Sequence, residues 1–140
     1  MGHQSTSSPR ELPLSAAQLG IWFAQELAPS NVDFNSAEYV EIFGAVDPAI
    51  FETALRCVVA EADVLSVRFV NHTDGPRQVI GDLPDWSLPF IDVSAEPDPL
   101  AAARAWMDAD RARPIDLLRG PLFAYALFKA AADRFYWYAR

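Results

Sequence analysis

The sequence predicts an α/β domain in which a mixed sheet packs against helices. Three observations predict it. Segments with apolar residues at helical spacing alternate along the chain with segments of alternating or aromatic-rich strand pattern. Asp-Pro dipeptides stand just ahead of two of the helical segments, where Asp serves as N-cap and Pro as first helical residue. The 140 residues are 51% hydrophobic and 21% charged, the balance of a chain that can bury a core.

The elements follow in order. Residues 1–11 read as a disordered leader, because Ser, Gly and Pro occur there without a periodic apolar pattern. The folded part is expected over residues 12–140. A first helix is expected over Ser15–Ala28. Ser15 and Gln18 form a capping box in which the Ser side chain accepts from one free amide and the Gln side chain reaches back to the amide of the cap. Leu19, Trp22, Phe23 and Leu27 line one face, and Pro29 stops the helix. Residues 37–43 read as a strand ended by Gly44. Asp47-Pro48 opens a second helix with the cleanest apolar stripe in the chain, Phe51, Ala54, Leu55, Val58, Val59 and Ala62. Val64–Val70 alternates as a strand, Asn71–Gly75 is a turn, and Arg77–Ile80 returns as its partner. A loop over 81–89 leads to a short strand at 90–93. Asp98-Pro99 opens a third helix, striped by Leu100, Ala103 and Met107 with Trp106 at the edge, which Pro114 closes. Two strands, about 122–130 and 134–140, join through a turn near Ala132-Asp133.

Composition removes several function classes. A net charge of −8 and a pI near 4.5 argue against nucleic acid or an anionic membrane as partner. The single cysteine, Cys57, excludes an internal disulfide framework and a Cys-rich metal site. The polar start has no apolar signal core, so the cytoplasm is the expected location.

Residue by residue, no complete catalytic set emerges. Cys57 reads as a small buried hydrophobe beside the stripe of the second helix. His72 belongs to a turn whose every residue the turn explains, and His3 lies in the leader. Asp108 and Asp110, two apart, do not share a helix face and read as solvated surface rather than an acid/base or metal pair. Asp82 and Asp85 stand in a Pro-containing loop with no third ligand type nearby.

Three stretches resemble the N-terminal half of a condensation domain of nonribosomal peptide synthetases. Leu14-Ser15-Ala16-Ala17-Gln18-Leu19-Gly20-Ile21-Trp22-Phe23-Ala24 resembles the first core motif, with Ser15, Gln18 and Trp22 at its marked positions. Leu55 through Phe69 resembles the helix–strand that carries the second motif, which aligns with Glu61–Phe69. Pro114-Ile115-Asp116-Leu117-Leu118-Arg119-Gly120-Pro121-Leu122 resembles the segment P-F-D-L-x-x-G-P-L. Their order and spacing cover nearly all of residues 12–140.

The resemblance implies a chloramphenicol acetyltransferase-like fold of two α/β lobes, of which this chain is most of the first. It implies amide formation between a carrier-bound acyl or peptidyl thioester and a carrier-bound aminoacyl amine. Both are carried on phosphopantetheine of carrier proteins, with the donor carrier arriving in trans if the leader is native. No cofactor of the domain itself is implied. The family's H-H-x-x-x-D-G signature follows an aromatic strand, here Phe135–Arg140, so no catalytic residue falls within the chain, and this chain alone is expected to be inactive. Glu61 and Ser66 replace the two arginines of the second motif. Arg68, expected on the same strand face as Ser66 and about 6.6 Å further on, makes the Ser66/Arg68 face the candidate approach to the active site. Two other readings use the same resemblance: a non-catalytic condensation-like domain that recruits a tailoring protein, and a stand-alone acyltransferase. Since Phe135–Tyr138 is aromatic on both faces, a lobe ending here is expected to leave this strand uncovered and to self-associate.

Overall fold

A computed structural model describes residues 9–81 and 83–140. The elements run β1 (Arg10–Pro13), α1 (Ala16–Leu27), β2 (Glu38–Phe43), α2 (Pro48–Glu61), a 3₁₀ turn (Asp63–Ser66), β3 (Val67–His72), β4 (Gly75–Ile80), β5 (Phe90–Asp92), α3 (Pro99–Arg111), β6 (Tyr125–Ala131) and β7 (Arg134–Ala139).

Side-chain caps start each helix. Ser15 Oγ accepts from the Gln18 amide at 3.2 Å, and Gln18 Oε1 accepts from the Ser15 amide at 2.8 Å, closing the capping box. Asp47 and Asp98 cap α2 and α3 by accepting from amides of their first turns, and proline follows each cap. The third helix is striped as its spacing predicts: Ala103 and Met107 are buried.

The strands form two sheets. Four strands in the order β2–β7–β6–β5 make the main sheet, antiparallel except for the parallel β5–β6 pair. A three-stranded antiparallel sheet has the order β1–β4–β3. Alternation along β6 and β7 covers the main sheet on both faces. Phe128, Tyr136 and Tyr138 pack with Ala103 and Met107 of α3. Leu127 and Phe135 pack with Leu55 of α2 and with Leu88. A third cluster joins Trp22 of α1 to Val67 and Phe69 of the small sheet.

Several expectations need correction. Two residues expected in the leader are in a strand. Arg10 and Glu11 lie in β1, where they pair with Ile80 and Val79. A Cβ at Gly81, whose φ is 157°, would come within 3.1 Å of the Pro9 Cα, so the chain already packs closely at residue 9. Residues 1–8, His3 among them, and Asp82 lie outside the described residues. On α1 only Trp22 is buried, while Phe23 and Leu27 are exposed. Gln18 and Gln25, not the two apolar residues, share the flank of Trp22, four before and three after it. Val64–Ser66 is not strand but 3₁₀ turn, and Cys57 is exposed rather than buried.

The last strand is also covered. β7 lies between β2 and β6 and its two edges are both paired. Phe135, Tyr136 and Tyr138 are no more than 3% exposed. The reason for expecting self-association through this strand therefore falls away.

Candidate functional site

The three stretches that carry the resemblance meet in space. Trp22 from the first packs edge-to-face on Phe69 from the second, with ring centroids 5.9 Å apart. Leu117 and Leu122 from the third pack against the cluster these two form with Val67. The Phe69 amide also donates to the Leu117 carbonyl at 2.9 Å, which fastens the small sheet to the segment after α3. Within that segment Asp116 Oδ1 accepts from the amides of Leu118 and Arg119, so its side chain shapes the turn. Gln18 reaches across to the small sheet: its Nε2 donates to Gln78 Oε1 at 3.0 Å, and Gln78 Nε2 donates to the Pro13 carbonyl at 2.9 Å. Ser15, Gln18 and Trp22 are thus engaged in a cap, a cross-link and a core.

Ser66 and Arg68 do not share a strand face. Ser66 ends the 3₁₀ turn, where its hydroxyl donates to the Asp63 carbonyl at 2.9 Å. Arg68 lies on β3 opposite Val79, half-buried, between the inward-facing Val67 and Phe69. Glu61 is the exposed last residue of α2. His72 is the last residue of β3, paired with Gly75 across a two-residue turn, and its Nε2 lies 3.1 Å from Glu11 Oε1. Asp108 is solvated, as its position suggests, but Asp110 is only 5% exposed.

Asp110 marks what residue-by-residue reading missed. Its carboxylate accepts from the Tyr138 hydroxyl at 3.1 Å and lies 3.2 Å from Arg140 Nε, an ionic contact too bent for a hydrogen bond. Arg140 Nη1 donates to the carbonyls of Asp110 and Arg113, at 2.7 and 3.0 Å. These carbonyls stand at and just past the end of α3, where the helix carries partial negative charge, and the Asp110 carbonyl also accepts from the Arg113 amide at 2.9 Å. Asn35 Nδ2 donates to the carbonyls of Arg111 and Arg113 at 2.8 Å. Burial, and after it the Asp110 charge, push the Tyr138 phenol above its ordinary pKa. The signal was in the sequence: Asp110 stands seven after Ala103 and three after Met107, on the buried stripe of α3.

Backbone bonds extend the β6–β7 ladder to this point, for Arg140 and Ala124 exchange N–H···O bonds at 2.9 and 3.0 Å. A cavity of about 280 Å³ opens beside it, lined by Trp86, Trp106, Asp110, Arg113, Phe123 and Tyr125. On the opposite face of β7, the Trp137 indole N–H is buried without a partner among the described residues.

Comparison with known proteins places this arrangement. The family model for the condensation domain matches residues 8–140. The chain belongs to the condensation domain family. It is 56% identical over 127 residues to a dimodular nonribosomal peptide synthase of Bacillus subtilis, covering 91% of this chain and 5% of that protein. It is 51% identical over 129 residues to an isonitrile lipopeptide synthase of Streptomyces coeruleorubidus, covering 91% of this chain and 9% of that protein. Among solved structures, the starter condensation domain of rhizomide synthetase superposes with a TM-score of 0.88 at 50% identity, covering 92% of this chain and 30% of that one. The first condensation domain of the CDA synthetase gives 0.86 at 31% identity, over 93% of this chain and 35% of that one. The chain therefore spans about a third of a solved condensation domain and a small part of each synthetase. No helix among the described residues is long and apolar enough to cross a membrane.

Proposed function

We propose that this chain is part of a starter-type condensation domain, which acylates the amine of an aminoacyl thioester. The observation that carries the reading is the 50% identity, at a TM-score of 0.88, to the starter domain of rhizomide synthetase. Related structures of that domain hold C8-CoA, or C8-CoA together with Leu-SNAC. An acyl thioester as donor and an aminoacyl thioester as acceptor follow. In the synthetase, phosphopantetheine of carrier proteins would bear the acceptor and, where the donor is not acyl-CoA, the donor as well.

In the reaction the amine nitrogen attacks the thioester carbonyl. A C–N bond forms, the C–S bond breaks, and the sulfur departs as a thiol carrying the proton the amine gives up. Such chemistry needs the amine held in line with the carbonyl and the developing oxyanion stabilised. In this reading the acting histidine belongs to the family signature beyond β7. The residues described here supply the wall and the framework: the Trp22–Phe69 cluster, the covered main sheet, and the pinned end of β7.

The test uses the full condensation domain that contains this chain, supplied with octanoyl-CoA and leucyl-N-acetylcysteamine. Mass spectrometry should find N-octanoyl-leucyl-N-acetylcysteamine. Product with an octanoyl carrier protein but not with octanoyl-CoA would assign a carrier-bound donor. Absence of amide with both donors would overturn the reading.

A further inference from the structure

We propose that Asp110 and Arg140 are positioning residues that fix the direction in which the chain leaves β7. This rests on the reading above, in which the reacting histidine lies beyond that strand.

Three observations carry the inference. Asp110 is the one buried charged residue in the core of the described structure, and the Arg140 side chain is 10% exposed. A buried ion pair is a poor device for stability, because desolvating two charges offsets their attraction, and apolar replacements of similar volume are often neutral or better. What such a pair does well is exclude alternative geometries, since each displaced partner leaves a charge buried and unpaired. Secondly, the geometry is over-determined. Arg140 meets the Asp110 carboxylate and the carbonyls of Asp110 and Arg113, while its backbone is paired both ways with Ala124. Tyr138, two residues earlier on the same face of β7, donates to the same carboxylate. The strand end is therefore tied at once to α3 and to the strand beside it. Thirdly, Asp110 lines the cavity at this end of the sheet, so the clamp borders open space rather than lying wholly in sealed core.

The groups facing the pair are few. Tyr138 comes from β7, the Arg113 carbonyl follows α3, and Asn35 holds the same helix end from the loop before β2. Asp108 and Arg111, on the outer side of α3, face solvent.

The test compares three forms of the full condensation domain: the parent, Asp110→Asn, and Asp110→Asn with Arg140→Met. Asp110→Asn keeps shape and an acceptor for Tyr138 but removes the charge. Misplacement of a reacting group by about an ångström costs up to roughly a hundredfold in rate. In Asp110→Asn, kcat for amide formation should fall by about tenfold or more while KM for the acyl donor stays within about twofold. The double variant, which buries no unpaired charge, should regain thermal stability without regaining kcat. Recovery of kcat together with stability would overturn the proposal, because a merely structural pair would behave so. Hydrogen exchange gives a readout independent of activity. The Arg140 amide should exchange faster in Asp110→Asn than in the parent, with the Leu127 amide unchanged. Equal protection of Arg140 in both would also overturn it. If the parent forms no amide at all, the proposed function fails, and the exchange result still decides the clamp.

Discussion

Trp22→Ala is the most informative single perturbation of the fold, because Trp22 is where the three motif stretches converge. The indole is 3% exposed and touches a cluster drawn from α1, the small sheet and the segment after α3. Truncating a buried Trp to Ala costs about 3–5 kcal/mol, through lost transfer energy and the cavity left behind. The edge-to-face contact with Phe69 contributes about 0.5–1.5 kcal/mol beyond area. A domain of ordinary stability has about 5–15 kcal/mol in all, so a loss of about 4 kcal/mol removes from roughly a quarter to most of it. At a urea slope of about 2 kcal/mol per molar, a loss of about 4 kcal/mol moves the midpoint down by about 2 M. Urea titration followed by far-ultraviolet circular dichroism measures this directly. The control is Phe23→Ala, one residue along the helix, where the ring is 54% exposed and the cost should stay near 0.5 kcal/mol. Equal midpoint shifts in the two variants would refute the reasoning, since burial, not aromatic identity, is what distinguishes them.

Three further outcomes are expected. Ser15→Ala should destabilise the chain by about 1 kcal/mol through loss of the N-cap, visible as a lower thermal midpoint; an unchanged midpoint would count against the capping box. The exposed Asp92 carboxyl is held down at about 2 by the Ser94 hydroxyl first, then the Ser94 amide and Lys129. A carboxyl lowered by folding adds stability above its unfolded value of about 3.9 and loses it as pH falls towards 2. Carboxyl NMR should therefore give a midpoint near 2 that rises in Ser94→Ala, and a midpoint that stays put would exclude the hydroxyl as the main cause. Amide exchange in the parent should be slowest along β6 and β7, and fast exchange at Tyr136 would mean that β7 is not held inside the sheet.

The caps, the α3 stripe and the final hairpin were legible because their signals are local. Asp47-Pro48, Asp98-Pro99 and the Ser15/Gln18 pair declare helix starts within four residues. What escaped was set by tertiary partners. β1 is four residues long and contains Pro13, so only its pairing with β4 makes it a strand. Val64–Ser66 alternates as a strand would, yet Ser66 turns back to bond the Asp63 carbonyl and closes a 3₁₀ turn. Val58 keeps helical register with Phe51 and Leu55 but is 58% exposed, because the sheet reaches only part of the stripe. The site was partly legible: the motif stretches could be read singly, but their meeting at Trp22 joins residues from far apart in the chain. Asp110 could have been found by spacing, since its charge on an apolar stripe calls for a partner. That partner, Arg140, is on an element no local pattern connects to α3.

The pairing of β2 has a consequence for the order in which the molecule is assembled. Glu38 pairs with Ala139, more than two thirds of the chain's length away, whereas β3 and β4 close through a two-residue turn. Closing a long loop costs entropy before any contact repays it, and chains emerge from the ribosome N-terminus first. The small sheet can therefore form while β2 still waits with both edges open, and the main sheet is completed only when β7 arrives. Substitutions in β2, such as Ile42→Val, should then speed unfolding rather than slow folding, while those in the β3–β4 hairpin should slow folding, a contrast that stopped-flow urea jumps resolve. The strand laid down among the earliest is in this sense among the last to be used, and the aromatic β7 acts as the closing piece that makes a sheet of what came before it.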